Sequence, residues 1–227
     1  AEALAARTGT LPPHFADQLA PYGDLVFDDA TPGFRAELVE ARASALSASS
    51  GMRVTTRFNP FFAVADNLGS CHMVRDLLTG PCLLLNGDTL FEAEIARRVL
   101  AAPPAPVAVT IDRKAAYDAD DMKVSLDGDR VSAIGKTLSP AQTQAESIGV
   151  LRFDAGGAAA FVAGVEAALR EPEGLRRWYL SVVDRLAGRG LVRATTIEGL
   201  RWSEVDFPED LPRAEALAST WATVPVA

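Results

Sequence analysis

Cysteine is scarce in this chain of 227 residues, which contains only Cys71 and Cys82. Two cysteines at this spacing do not form a zinc-ligand pattern. No secretory leader is recognisable, and disulfides belong mainly to oxidising compartments, so we expect a cytoplasmic protein with two reduced thiols. A bridge between the two cysteines is the alternative that their spacing leaves open.

Long apolar runs and an excess of positive charge are also lacking. No stretch approaches the roughly 18 apolar residues that a membrane helix needs, so we expect no membrane partner. The 22 basic and 30 acidic residues give a net charge of −8, which argues against nucleic acid as a partner. With 48% hydrophobic and 23% charged residues, the composition is typical of one soluble globular domain. We therefore expect a single domain over residues 1–227, in which residues 1–23 are atypical because prolines interrupt them.

Short apolar runs alternate with helical patterns along the chain, which predicts an α/β fold. Cys82–Leu85 and 107–111 are typical of buried strands, and a helix is predicted between them at 93–100. An Asp-Gly turn between 123–126 and 130–134 predicts a β-hairpin. The other predicted strands are 25–27, 52–58, 148–153 and 192–197, and the other predicted helices are 34–46, 70–78, 158–169, 178–186 and 209–217. We expect a Rossmann-like, mostly parallel sheet flanked by helices, with the β-hairpin as an insertion.

The polar turn Asn86-Gly87-Asp88 directly follows the most apolar predicted strand. Ligands of open α/β sheets bind outside the carboxyl ends of the strands. A glycine lets a ligand approach the backbone, and the adjacent Asp88 carboxylate is a hard oxygen ligand suited to Mg²⁺. The alternative is an ordinary turn or helix cap, because Asn, Gly and Asp are common turn residues.

A second acidic segment contains Glu204 and Asp206. In an extended segment these two side chains share one face and lie about 6.5–7 Å apart along it. Two carboxylates on one face repel each other unless a cation holds them, so a Mg²⁺ site shared with Asp88 is one interpretation. In the alternative interpretation, Asp206 belongs to the N-cap region of the last predicted helix, which Pro208 would begin.

Several longer segments carry recognisable motifs in a recognisable order. They read NPFFAVADNLGS at 59–70, LLNGDTLF at 84–91, DDMKV at 120–124, IGKTL at 134–138, ESIGV at 146–150 and WSEVDFPED at 202–210. Together they resemble the sugar-nucleotidyltransferase superfamily. The resemblance is closest to its cytidylyltransferase branch, the phosphocholine cytidylyltransferases and the related enzymes that act on phosphonates or inositol phosphate.

The resemblance implies an enzyme that transfers CMP from CTP to a small phosphorylated or phosphonate acceptor and releases pyrophosphate. It implies Mg²⁺ bound by Asp88 and Asp206, with Glu204 beside or behind them. The partners would be CTP, or another nucleoside triphosphate, and the acceptor, and a homodimer is compatible with this interpretation. Two alternatives stay open: a sugar-1-phosphate nucleotidyltransferase, and a non-catalytic nucleotide-binding or regulatory protein of the same fold.

The resemblance also implies roles for individual residues in the motifs. The residues expected near the nucleotide are Asn67, Ser70, Asn86, Gly87 and Gly9. The residues expected to face phosphate or phosphonate oxygens, and therefore to be catalytic, are Lys123 and Lys136. The residues expected to bind the substrate are Glu146, Tyr179 and Trp202. Glu146 would hold a ribose hydroxyl or order Lys136.

Lysine is scarce as well. Only three of the 22 basic residues are lysines, Lys114, Lys123 and Lys136, and the last two fall within the motifs. Because a compact ammonium binds phosphate as a point charge, we interpret Lys123 and Lys136 as ligands of the substrates' anionic groups. The alternative is chance placement on an exposed hairpin.

The Gly-rich N-terminal loop of the family is missing or degraded in this sequence. Residues 4–12 read LAARTGTLP, whereas the family pattern is L-A-A-G-x-G-[ST]-R-L. The segment retains Gly9 but has Arg7 in place of the first glycine, and a side chain there would crowd an approaching phosphate. We expect the N-terminal part of the enzyme to be incompletely covered. A rebuilt loop and a fold that no longer catalyses are the alternatives.

Overall fold

The computed structural model describes residues 25–27, 36–50 and 53–221, so the segment that contains Gly9 lies outside the described residues. The strands are β1 (Leu25–Phe27), β2 (Val54–Thr56), β3 (Cys82–Leu85), β4 (Thr89–Phe91), β5 (Val107–Asp112), β6 (Lys123–Asp127), β7 (Arg130–Gly135), β8 (Ala145–Phe153), β9 (Val192–Thr196) and β10 (Trp202–Glu204). The α-helices are α1 (Ala36–Ser50), α2 (Asn67–Met73), α3 (Ala93–Ala101), α4 (Ala155–Leu169), α5 (Leu180–Gly188) and α6 (Leu211–Trp221). Short 3₁₀-helices lie at Pro140–Gln142, Gly174–Arg176 and Pro208–Asp210. Within these residues, no helix combines the length and the apolar content needed to cross a membrane.

The described residues form two compact units. The first contains 25–27, 36–50, 53–63, 87–94 and 200–221, and the second contains 64–86 and 95–199. In the first unit, α1 follows β1 and leads to β2, which pairs with β1 in parallel. The same unit contains a second pair, β4 and β10, which is antiparallel. That the whole chain is a single domain stays a prediction.

The second unit contains a six-stranded sheet in the order β3-β8-β5-β9-β7-β6, with a further pairing between β8 and β6. The α/β fold class is therefore confirmed, but the described sheet is mixed rather than mostly parallel. Only β5 and β9 pair in parallel among the described strands of this sheet. An apolar run shows that a strand is buried on both faces, but it does not give the strand direction. Because β8 follows a hairpin instead of a crossover helix, it runs antiparallel to both β3 and β5.

The predicted β-hairpin is confirmed as β6 and β7. Asp127 pairs with Arg130 across the turn, and Gly128 has a φ of 64°, a conformation that glycine adopts without the strain of a side chain. The hairpin is part of the sheet rather than an insertion into it, because β7 pairs with β9 and β6 pairs with the start of β8.

Aromatic packing fixes one wall of the second unit. Phe161 of α4 lies 5.0 Å from Phe153 of β8 and 6.3 Å from Tyr179, measured between ring centroids. All three side chains are buried. Phe161, which contacts a ring on two sides, has little rotational freedom, and its edge contact helps to hold the buried Tyr179 ring at the start of α5.

Within the described residues, no disulfide joins Cys71 and Cys82. Cys71 is buried in α2, and Cys82 is the partly buried first residue of β3. Burial raises the pKa of the Cys82 thiol to about 11, because the thiolate would lose its hydration. Cys82 therefore lacks the low pKa of a reactive cysteine, and Cys71 is buried.

Candidate active site

Tyr179 connects two of the predicted nucleotide-binding residues. Its backbone N–H donates to Oδ1 of Asn67 at 2.8 Å, and its hydroxyl donates to Oδ1 of Asn86 at 2.8 Å. Asn67 begins α2 and Asn86 follows β3, so three distant segments meet at one tyrosine. Because each amide uses its oxygen for Tyr179, the NH₂ group of each amide is the side on which a ligand would find a donor.

Asn86 also packs directly on β8. Its backbone N–H donates to the carbonyl of Gly149 at 2.8 Å. Gly149 has a φ of 73°, and a Cβ at this position would lie 2.5 Å from Cγ of Asn86. Glycine is therefore required here both by the backbone conformation and by the close approach of the amide. Sequence reasoning missed this role, although Gly149 lies inside one of the motifs.

Glu146 lies where three strands meet. It is opposite Asp112 of β5 on one side and opposite Lys123 of β6 on the other. Its side chain is 7% exposed, and Oε2 accepts from Nζ of Lys114 at 2.9 Å. Lys114 also lies 2.8 Å from Oδ2 of Asp121. The lysine that contacts Glu146 is thus Lys114 and not Lys136, which corrects the expectation that Glu146 orders Lys136.

Three charged groups in contact here shift one another's pKa values, namely Glu146, Lys114 and Asp121. Burial raises the pKa of Glu146, and this effect outweighs the ion pair with Lys114. Burial would lower the pKa of Lys114, but hydrogen bonds to Asp121 and Glu146 raise it overall. Burial would raise the pKa of Asp121, but Lys114 and the N–H of Asp118 lower it overall. Asp121 is therefore the stronger acid of the two carboxyls that share one ammonium.

Lys123 is buried, and its ammonium binds the backbone. Nζ donates to the carbonyls of Asp118 at 2.5 Å, Lys136 at 2.9 Å and Ala119 at 3.5 Å. An ammonium has three N–H donors, so these three carbonyls use all of them. In this structure Lys123 joins two loops, and its predicted contact with phosphate stays a prediction.

Lys136 is a partly exposed cation in this region, with a side chain that is 30% exposed. Its Nζ lies 4.3 Å from the ring centroid of Trp178 and 3.9 Å from Oδ1 of Asp120, whose side chain is 97% exposed. An ion pair with an exposed carboxylate contributes little, because water screens it. Lys136 can therefore exchange this partner for an anionic ligand while its stem stays on the indole face.

The contacts described so far form a closed circuit within the second unit. It runs from Tyr179 through Asn86 and Gly149 along β8 to Glu146, then through Lys123 and Lys136 to Trp178, which precedes Tyr179. We call these residues, with Asn67, the strand-end cluster, because Asn86 and Asp112 mark the carboxyl ends of β3 and β5. The cluster unites six of the predicted site residues, namely Asn67, Asn86, Lys123, Lys136, Glu146 and Tyr179. Ser70 lies nearby in sequence but is buried within α2.

The predicted acidic residues lie in the first unit, at one end of a ribbon that the sequence did not predict. Glu204 of β10 pairs with Thr89 of β4, and the N–H of Val205 donates to the carbonyl of Asp88 at 3.0 Å. Asp88 directly precedes β4 and Asp206 lies two residues after β10, so both are at the same end of this antiparallel ribbon. Trp202, at the other end of β10, is partly buried opposite Phe91. Gly87 is exposed, with nothing within 4 Å of a Cβ built on it, so a ligand can approach its backbone.

The backbone around Asp206 bears on the alternative interpretation, in which Asp206 caps the helical segment that Pro208 begins. The N-cap position of the 3₁₀-helix Pro208–Asp210 is Phe207 rather than Asp206. The carboxylate that receives the N–H groups is that of Asp210, whose Oδ2 accepts from Asp206 at 3.1 Å and Phe207 at 3.0 Å. The Asp206 side chain is exposed.

The chemistry of this acidic group fits Mg²⁺, although it does not form a complete cage. Within the described residues, no three His, Cys, Asp or Glu side chains stand close enough together to hold a metal ion. Magnesium keeps several waters and is bound through one or two carboxylates together with substrate phosphates. Asp88 and Asp206 supply carboxylates of that kind, so a complete protein cage is not required.

Comparison with known proteins shows which fold this chain has. No family model matches the chain. A curated relative, CMP-5'-(3-aminopropyl)phosphonate synthase from Streptomyces rubellomurinus, is 30% identical over 177 residues. That match covers 73% of this chain, which spans about a quarter (27%) of the length of the relative.

Two solved structures are similar over most of their length. The inositol-1-phosphate CTP transferase from T. maritima has a TM-score of 0.66 and 19% sequence identity. The match covers 90% of this chain and 78% of the transferase chain. The CTP:phosphocholine cytidylyltransferase from Streptococcus pneumoniae has a TM-score of 0.61 and 16% sequence identity. The match covers 90% of this chain and 83% of the cytidylyltransferase chain. The chain therefore has the nucleotidyltransferase fold, which confirms the resemblance seen in the motifs at the level of the fold.

Proposed function

We propose that this protein is a nucleotidyltransferase that transfers CMP from CTP to a small phosphorylated or phosphonate acceptor. The observation that carries the proposal is the strand-end cluster. It gathers amide donors, a buried carboxylate and an accessible lysine at the carboxyl ends of strands, where ligands of α/β sheets bind. The named relative and the two similar structures support CTP as the donor, since the name of each contains CMP or CTP.

The proposed reaction is a single displacement at phosphorus. An oxygen of the acceptor's phosphate or phosphonate attacks the α-phosphorus of CTP, and the bond from that phosphorus to the bridging oxygen of the β-phosphate breaks. Pyrophosphate leaves with the electron pair, and the acceptor is now joined to CMP. Such a transfer needs little covalent help from the protein, because positioning and charge neutralisation supply most of the catalysis.

The residues of the strand-end cluster suit the recognition part of this reaction. The amide NH₂ groups of Asn67 and Asn86 are donors, and the base of CTP presents a carbonyl oxygen and a ring nitrogen as acceptors. Lys136 offers its ammonium to an oxygen of a phosphate or phosphonate. Glu146, when ionised, accepts hydrogen bonds from a hydroxyl or an ammonium group of a substrate.

The acidic group of the first unit suits a divalent cation. Asp88 and Asp206 would hold Mg²⁺, and Glu204 would lie beside them. When bound, Mg²⁺ supplies charge neutralisation on the triphosphate. The chain's own contribution is to present these carboxylates at one end of the β4–β10 ribbon.

The proposal is tested by measuring pyrophosphate release with pairs of donors and acceptors. The donors are CTP, UTP, GTP and dTTP, and the acceptors are (3-aminopropyl)phosphonate, phosphocholine, inositol 1-phosphate and glucose 1-phosphate. Release with CTP and a phosphonate or phosphate acceptor, with the CMP conjugate seen by mass spectrometry, is the expected result. Preference for UTP or dTTP with glucose 1-phosphate would favour a sugar-1-phosphate enzyme. Calorimetric binding of CTP without product would support a non-catalytic binding protein.

We expect Lys136→Met to raise the KM for the acceptor or for CTP by roughly tenfold or more, because a hydrogen bond to a charged group contributes about 1.5–3 kcal/mol. Steady-state kinetics with each substrate varied in turn shows which anion Lys136 binds. Arg130→Met is the matched control, since Arg130 pairs with exposed Asp127 at 2.9 Å at the tip of the hairpin. Unchanged KM values for both substrates in Lys136→Met would contradict the role of Lys136.

A further inference from the structure

Lys114 has no role in the proposed reaction, yet it makes two close contacts, one of them with Glu146 of the strand-end cluster. It lies two residues after β5 and reaches Glu146, the second residue of β8, at 2.9 Å. It also reaches Asp121, two residues before β6, at 2.8 Å. The lysine thus bridges the loop between β5 and β6 and the start of β8.

The loop that carries Lys114 is itself held in place. Oδ2 of Asp121 accepts from the N–H of Asp118 at 2.5 Å. The carbonyl of Asp118 accepts from the ammonium of Lys123, which is opposite Glu146 in the sheet. The N–H of Ser147, next to Glu146, donates to the carbonyl of Met122 at 2.8 Å. Lys114 therefore approaches Glu146 from a loop that hydrogen bonds fix at several points.

The charges around Glu146 show what the ammonium does. Glu146 has carboxylates near it on two elements, Asp121 on the loop and Asp112 opposite it on β5. Lys123 is opposite it on β6, but its ammonium is turned to three carbonyls. Lys114 is therefore the cation in direct contact with Glu146, and without it two neighbouring carboxyls would compete for one proton.

We propose that Lys114, whose ammonium Glu146 shares with Asp121, is a positioning residue that keeps Glu146 ionised and oriented as a hydrogen-bond acceptor for a hydroxyl or ammonium group of the substrate. A protonated Glu146 would present a donor in place of an acceptor and would lose its attraction for a cationic group. The role in substrate binding rests on the proposed function. The hold of Lys114 on Glu146 is a property of the protein alone.

The effect of Lys114 on the ionisation of Glu146 is tested first, without any substrate. The titration of Glu146 is followed by carboxyl ¹³C NMR and assigned with Glu146→Gln. We expect Lys114→Met to shift the midpoint to higher pH by about one unit or more, because loss of an adjacent cation disfavours the charged form. Lys114→Arg should retain most of the wild-type midpoint. Arg193→Met, which removes an exposed ion pair with Asp129 at 3.1 Å, should leave it unchanged.

Asp121→Asn gives a second variant with a shift of opposite sign. Removing the neighbouring negative charge should move the Glu146 midpoint to lower pH, since Lys114 then pairs with Glu146 alone. This variant keeps the shape of the side chain, so it tests the proposal even if Lys114→Met does not fold. An unmoved midpoint in the variants that fold overturns the proposal, whatever the transferase assay gives.

The consequence for the substrate is tested by kinetics. In Lys114→Met we expect the KM of the acceptor, or of whichever substrate Glu146 binds, to rise roughly tenfold, with kcat changed only a few-fold. The acidic limb of the pH profile should move to higher pH, and Lys114→Arg should restore both. A shifted midpoint with unchanged KM overturns the positioning role. Absence of transfer by the wild-type protein would overturn the proposed function, while the titration would still decide whether Lys114 controls Glu146.

Discussion

Asp88→Asn is expected to reduce nucleotidyl transfer by about 10³-fold or more at saturating substrates. The change removes a carboxylate from the proposed Mg²⁺ site while it keeps the shape of the side chain and its place at the end of the β4–β10 ribbon. Loss of metal-assisted charge neutralisation removes several kcal/mol of transition-state stabilisation, which corresponds to a loss of this size. The measurement is the initial rate of pyrophosphate release over a range of Mg²⁺ concentrations.

The matched control for this prediction is Asp127→Asn, which removes a carboxylate from the exposed turn of the hairpin, where Asp127 forms an ion pair with Arg130. This variant should keep the wild-type rate and the wild-type Mg²⁺ dependence. If Asp88→Asn also kept both, Asp88 would have no part in catalysis and the metal assignment would be wrong. A partial loss that high Mg²⁺ restores would instead indicate a weakened metal site, in agreement with the proposal.

Gly149→Ala is expected to lower the free energy of unfolding by about 2–5 kcal/mol. The positive φ of 73° costs a residue with a Cβ about 1–2 kcal/mol. Displacement of the Asn86 side chain, 2.5 Å from the new Cβ, adds an overpacking cost of about 1–3 kcal/mol. Because Asn86 would move away from Tyr179, the KM for the nucleotide should rise as well. Urea denaturation and steady-state kinetics measure the two effects.

Gly128→Ala separates the backbone cost from the packing cost. Gly128 has a similar φ of 64°, but no atom lies within 4 Å of a Cβ built on it. This variant should lose only about 1–2 kcal/mol and keep wild-type kinetics. Equal losses in the two variants would show that the contact between Gly149 and Asn86 contributes nothing to stability.

The elements with strong local signals could be predicted from the sequence. The apolar run Cys82–Leu85 is a strand at the predicted residues, and the Asp-Gly turn marks the predicted hairpin. The direction of β8 could not be predicted, because an apolar strand has the same composition in either direction. The pairing of β4 with β10 could not be predicted, because the two short strands are far apart in sequence; the sequence indicated only an extended segment around Glu204.

The site was predictable where its residues lie in motifs, and not where it depends on strand register. Asn67, Asn86 and Tyr179 come from three segments, and the hydrogen bonds among them agree with their shared role. The contact between Lys114 and Glu146 arises because β8 pairs with β5 and β6 in one particular register. A shift of one residue would turn Glu146 to the other face of the sheet, so no local pattern could have indicated its partner.

The environment of Lys123 explains why this position needs lysine in a chain that uses arginine almost everywhere else. Three carbonyls converge on one nitrogen atom, and a tetrahedral ammonium can point one N–H at each of them. A guanidinium spreads its donors over a flat fork several ångströms wide, and it cannot direct three of them to a single point. Its bulk would also have to fit where the side chain is already buried. Replacement by arginine, usually the mildest change for a lysine, would therefore separate the loop before β6 from the turn after β7.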